Sequence, residues 1–251
     1  MILKNLLRRK ARTTLTILGI AIGVAAIIAL GVMASLLENG FTSMMTGSKS
    51  DLLLSQPDTF SLSYSAVDET IVDALAAMPE VARVSGMVQD IVQTPENPFF
   101  FIFGYPAQSY ILERYQILAG NGLDSQQAEQ ARGKPLLLGV AAAEALEKEP
   151  GDTLQLGDSL FRIVGIYQTG DAFEDRGAVI QLVEAQRLFN RTNTVSIIYI
   201  QLKDPGKQAQ FDQRVERLWP DLLLSSTDQY ASRSSMVTVM QAYVVGISGL
   251  A

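Results

Sequence analysis

Two long stretches of the chain carry no charged side chain, and between them apolar positions recur at the periods of helices and strands. Residues 13–37 read TTLTILGIAIGVAAIIALGVMASLL. As a helix, a run of this length spans about 37 Å, more than the roughly 30 Å hydrocarbon core of a bilayer. The pattern predicts a transmembrane helix. A buried core helix would be unusual at this length without a charge. A cleaved signal peptide is the other rival, with Val32-Met33-Ala34 as a peptidase site, but its apolar region is only about 7–15 residues long. The last charged residue is Arg233, and SSMVTVMQAYVVGISGLA follows it to Ala251. This second run reads as the first part of another spanning helix, and the sequence therefore as the front portion of a longer one.

The intervening residues alternate between strand-like and helix-like patterns. A strand at 52–55, a helix at 67–78 and a strand at 81–94 form one unit. Val67, Ile71, Leu75 and Met78 fall on one helical face, Ser65 is placed to cap the helix, and Pro79 ends it. A second unit consists of a strand at 195–202, a helix at 207–219 and a strand at 221–226. Phe211, Val215 and Leu218 line its helical face, and Pro220 closes it. Two strand–helix–strand units suggest a split α+β sheet with helices on one side. Residues 105–194 are richer in strands: PLLLG at 135–139, a hairpin over 151–166 turning at Gly157-Asp158, and GAVIQ at 177–181. Short helices are expected after the first and last of these. The resulting division is a segment 1–12, a span 13–37, a domain formed by 38–104 and 195–233, a β-rich insertion 105–194, and the start of a span at 234–251.

Charge divides the chain in the same places. The net charge is −6, from 20 Lys+Arg against 26 Asp+Glu. Lys4, Arg8, Arg9, Lys10 and Arg12 give residues 1–37 a charge of +5, leaving 15 basic against 26 acidic residues, or −11, in the rest. Cations next to the first span set its topology: the N-terminus in the cytoplasm, residues 38–233 outside. Residues 2–12 are themselves amphipathic and suit the anionic lipid surface. An acidic body argues against nucleic-acid binding, which needs a basic face. Gly19 and Gly23 form a G-x-x-x-G pair that would let a second helix approach closely.

Catalytic chemistry is narrowly bounded, because the chain has no cysteine and no histidine. Disulfides, thiolate nucleophiles, imidazole bases and zinc sites built on either residue are excluded. Asp171, Glu174 and Asp175 in TGDAFEDRG match no calcium loop and read as a solvated acidic loop. The GSKS stretch at 47–50 lacks the spacing of a phosphate loop. No S-x-x-K occurs, and Asn190-Arg191-Thr192 fits a glycosylation sequon of the kind that arises by chance. The run PFFFIFGYP at 98–106 admits two readings. Phe99, Phe100, Phe101 and Phe103 either form an exposed apolar surface for a lipid-like ligand or partner, or belong to a strand buried on both faces.

The run NLLRRKARTTLTILGIAIGV at 5–24 closely resembles the start of MacB-type (MacB/FtsX-like) ABC transporter permeases. LG at 138–139 before an Ala-rich helix, PGDT at 150–153 and FRIVGI at 161–166 are similar to that family's periplasmic core domain. The resemblance implies an α+β extracytoplasmic domain of two βαβ-like, porter-like halves with a β-rich, sabre-like insertion. It implies a permease subunit of the cell membrane that does no catalysis itself. Its partners would be a separate ABC ATPase chain that binds ATP and Mg, a second permease copy, membrane lipid and a periplasmic adaptor. ATP-driven helix motion would be passed to the outside domain. The family's cytoplasmic loop and its third and fourth spans have no counterpart in this sequence. The competing reading is a membrane-anchored extracytoplasmic sensor or adaptor without an ATPase. An anchored hydrolase is weaker, since only carboxylates and lysine remain as bases.

Overall fold

The computed structural model describes residues 14–29, 31–32, 52–57, 59, 62–95, 97–129 and 133–227. The chain divides into two compact units, residues 1–39 with 237–251, and residues 40–236. In the first, residues 14–29 and 31–32 are helical (α1). Its large side chains face outward, Leu15 being 76% and Ile20 63% exposed. No helix among the described residues is long and apolar enough to cross a membrane. The expected span 13–37 is thus described in part, and segments 1–12 and 234–251, with Lys4, Arg8, Arg9, Lys10 and Arg12, lie outside the described residues.

The second unit is a mixed α+β domain. Its strands are β1 (Leu52–Ser55), β2 (Val67–Asp68), β3 (Val81–Val92), β4 (Phe100–Tyr105), β5 (Gln116–Gly120), β6 (Lys134–Gly139), β7 (Thr153–Leu156), β8 (Ser159–Gln168), β9 (Ala178–Gln181), β10 (Thr194–Val195), β11 (Ile197–Leu202) and β12 (Leu223–Ser226). Its helices are α2 (Thr70–Ala76), α3 (Gln126–Glu129), α4 (Val140–Leu146), α5 (Leu182–Leu188) and α6 (Gln208–Leu218).

Ten strands form one sheet in the order β12-β1-β11-β3-β4-β9-β6-β8-β5, with β7 also paired to β8. β11 lies between β1 and β3 and runs antiparallel to both, so β1 and β3 are parallel. β1 likewise separates β11 from β12, antiparallel to each. The two strand–helix–strand units therefore interlock as split βαβ units. β4 joins this half to the other by pairing antiparallel with β3 and parallel with β9.

Strand residues alternate between two cores, as the period of 2 demands. Leu52 and Leu54 of β1, Ile198 and Ile200 of β11, and Phe100 and Ile102 of β4 face one core, where α2, α4, α5 and α6 supply Leu75, Ala142, Ala185 and Phe211. Leu53, Tyr199, Ile197, Phe103 and Tyr105 face the other, which short turns cover with Leu62, Tyr110 and Ile111. α2, α4, α5 and α6 thus lie on one face, while the one-turn α3 adds Ala128 to the other core. Gly104 lets α5 come close to β4: a Cβ there would stand 2.2 Å from Ala185 Cβ.

Some boundaries differ from the sequence pattern. The first helix starts at Thr70, because Val67 pairs with Val195 in a small second sheet that buries both side chains. Ser65 does not cap it; its Oγ accepts a hydrogen bond from Gln56 N at 3.2 Å. The N-cap position is Glu69, which makes no side-chain capping bond, and Asp68 Oδ1 just before it accepts from Thr70 N at 2.8 Å. On α6, Phe211 and Val215 are buried, whereas Leu218 stays 53% exposed.

Candidate functional site

The densest polar constellation lies on the turn-covered face of the sheet, around Glu174. Two local structures bring it together. A 3₁₀ turn, Tyr110–Arg114, starts at Ser109, whose Oγ accepts from Ile111 N at 3.3 Å, and it delivers Arg114 and Tyr115. A second 3₁₀ turn, Glu174–Arg176, delivers the carboxylate. Asp171 Oδ1 shapes that turn by accepting from Phe173 N at 2.9 Å and Glu174 N at 3.0 Å. Asp175 Oδ1 accepts from Thr169 N at 2.7 Å and from Thr169 Oγ1 at 3.0 Å.

Glu174 is completely buried. Its Oε1 takes a charge-assisted hydrogen bond from Arg114 Nη2 and a second from Tyr115 OH at 2.9 Å. Tyr167 OH donates to the Glu174 carbonyl at 2.7 Å. The Tyr115 and Tyr167 rings stack with centroids 4.9 Å apart, and the Arg114 guanidinium lies 4.9 Å above the Tyr115 ring. Tyr105 and Tyr199 complete the cluster, so β4, β8, β11 and both turns meet there.

Burial and charge set the protonation of the cluster. Burial pushes the Glu174 carboxyl above its ordinary pKa, opposed by Arg114 and by the hydrogen bonds from Arg114 and Tyr115. Burial alone would lower Arg114, but Glu174 and the neighbouring tyrosines outweigh it and hold the guanidinium charged. Burial raises Tyr105, Tyr115, Tyr167 and Tyr199, with the Glu174 charge adding to the effect at each. Tyrosines shifted in that direction remain neutral donors and make poor bases or nucleophiles. Among the described residues no group of three or more acidic side chains is placed to hold a metal ion.

The acidic loop is therefore not the solvated loop its composition suggests: Asp171, Glu174 and Asp175 are all buried. Each carboxylate satisfies backbone or cationic donors inside the domain. Sequence reasoning found the carboxylates and missed Arg114, Tyr105, Tyr115 and Tyr199, which stand at distant positions, and Tyr167, seven residues before Glu174. The phenylalanine run forms strand β4, with Phe100 and Phe103 buried in opposite cores and Phe101 partly buried. Phe101 packs on Phe173 at 4.2 Å between centroids, and Phe99, just before the strand, is 68% exposed. Gly19 and Gly23 lie in α1, with nothing within 4 Å of where a Cβ would stand.

The geometry has relatives among solved structures. The periplasmic region of MacB from Actinobacillus actinomycetemcomitans superposes with a TM-score of 0.57 at 13% identity, covering 75% of this chain and 94% of that one. The extracellular domain of YknZ, a noncanonic ABC-type transporter from Gram-positive bacteria, gives 0.53 at 14% identity, covering 70% and 100%. At such identities the likeness concerns the fold. No curated protein matches the chain. The model of the MacB-like periplasmic core domain matches residues 13–218, from the start of the uncharged run to the end of α6. With most of its length so matched, the chain belongs to the MacB-like periplasmic core domain family of ABC transporter permeases.

Proposed function

We propose that this chain is a permease subunit of an ABC-type exporter that passes the ATP-driven motion of a separate ATPase chain to a domain outside the cytoplasm. One observation carries this reading: the family match takes in the uncharged run together with the α+β domain as a single region. A receptor domain that merely sat on a tether would not need a particular apolar helix. The helical part of the run turns its aliphatic side chains outward, a surface that suits lipid or another apolar helix. The five cations ahead of it favour a cytoplasmic N-terminus, and the acidic remainder favours the other side.

In this reading residues 13–37 span the cell membrane and residues 38–233 lie outside it. A second permease copy completes a dimer, and Gly19 and Gly23 offer a close-packing face to a neighbouring helix. The sheet suits mechanical transmission, because its strands hydrogen-bond without a break from β12 to β5. The Glu174 clamp adds a polar lock on the face opposite α2, α4, α5 and α6. Phe99, exposed beside the otherwise buried strand β4, is the position where an apolar ligand or partner would touch this run.

Topology is the first test. Single cysteines placed at Lys4 and at Asp124, in a chain that has none of its own, should react with a membrane-impermeant maleimide from opposite sides. Labelling of both from one side would refute the arrangement.

A further inference from the structure

β5 is the strand at one end of the sheet, and it pairs on one side with β8. Among the described residues no strand lies on its other side, and one row of its backbone N–H and C=O groups has no strand partner there. All five of its residues, Gln-Ile-Leu-Ala-Gly, are exposed. Edge strands are normally guarded by charge, proline or a covering element, because an open row of donors and acceptors invites another strand. β5 has neither charge nor proline; a register irregularity at Leu118 is its one guard. The opposite end strand, β12, is largely covered, with Ser225 buried and the others half-buried.

A cavity of about 280 Å³ opens beside β5. Its lining is mixed: Tyr115, Leu123, Leu137 and Ile117 of β5 supply apolar surface, and Gln108 and Ser109 supply polar groups. This volume lies just under the range for small-molecule sites, about 300–1,000 Å³, and suits a single large side chain. Glu113 and Asp124 are the charged residues that line it, and no cation does. Glu113 is occupied, since both its oxygens accept from Arg83 Nη1 at 2.8 Å. Asp124 is exposed and has no ion pair among the described residues.

We propose that the open edge of β5 takes up an extended, cationic segment of a partner polypeptide as an added strand, with one apolar side chain of that segment seated in the neighbouring cavity. Main-chain hydrogen bonds supply the attachment and the cavity supplies selectivity, as in other strand additions. Charge chooses the occupant. Asp124 at the rim, and the −11 carried by the residues after 37, favour a basic segment. Two copies joined edge to edge would set their acidic rims against each other, which disfavours self-pairing. This inference needs only the domain and is independent of an ATPase.

The test uses the full chain in lipid nanodiscs and a fluorescent peptide of about nine residues, a common strand length, alternating valine and lysine. Anisotropy should show saturable binding, and hydrogen exchange should slow at residues 116–120 when the peptide is present. Asp124→Lys, a surface change that spares the fold, should weaken binding at least tenfold and reverse the preference towards a valine–glutamate peptide. Ile117→Lys, which puts a cation on the edge, should weaken the lysine peptide as well. Absence of binding to the unaltered chain would overturn the proposal. So would equal binding of the glutamate peptide, or binding without slowed exchange at 116–120. Slowed exchange that appears without peptide and tracks self-association would show a second copy to be the occupant and would equally overturn it.

Discussion

Glu174 and Arg114 show how much a single pair depends on its surroundings. Glu174 has no exposure, and its Oε2 has no hydrogen-bond partner among the described residues, so burial raises its pKa despite the adjacent guanidinium. The folded domain thus holds this proton more tightly than the unfolded chain does. As pH rises from the ordinary value of 4.5 towards the raised one, the carboxyl subtracts stability; lowering the pH through that window restores it. Removing the cation should accentuate this behaviour. Arg114→Met leaves a buried carboxylate unpaired and should cost about 3–5 kcal/mol near neutral pH, read from urea melts. The loss should be clearly smaller at about pH 5, where Glu174 takes up its proton more readily. Adding Glu174→Gln to Arg114→Met should recover part of the stability, and an equal loss at both pH values would contradict the assignment. The sequence hid this site for a physical reason. TGDAFEDRG looks like a hydrated loop, and the cation that neutralises it stands 60 positions upstream.

At the scale of elements, side-chain period told which faces are buried but not where the faces end. On α6 one apolar row contains Phe211 at 0% and Leu218 at 53% exposure. Phe211→Ala should destabilise the domain by about 3–5 kcal/mol, whereas Leu218→Ala should stay within about 0.5 kcal/mol; thermal or urea melts separate the two. α5 and β4 offer a test of close approach. Gly104→Ala should cost about 1–3 kcal/mol by forcing its methyl against Ala185, and a compensating Ala185→Gly should recover most of it. Both strand–helix–strand units were legible because Leu75, Phe211 and Val215 repeat at helical spacing between runs of β-branched and leucine residues. The start of α2 was not, because Val67 fits a helical face as well as it fits a strand. Its pairing with Val195, far along the chain, decides the matter. The open strand β5 was missed because five exposed uncharged residues carry neither period.

At the scale of the molecule, the two halves of the sheet share their cores, with residues from β1, β4, β6 and β11 in each. Strand order could not be read locally: β11 sits between β1 and β3, and the Arg83–Gln201 hydrogen bond that crosses β3 and β11 joins residues 118 apart. Charge was legible at this scale from the start, as a +5 end followed by a −11 remainder. That asymmetry fits a part held at the cytoplasmic surface by one end and working beyond the membrane with the other. The most direct test of this account is purification of the protein, tagged and otherwise as its own cell makes it, from its own membranes in mild detergent. The account predicts that an ABC ATPase chain comes with it in stoichiometric amount, and that the complex hydrolyses ATP. Recovery of the chain with no ATPase, under conditions that preserve its fold, would contradict it.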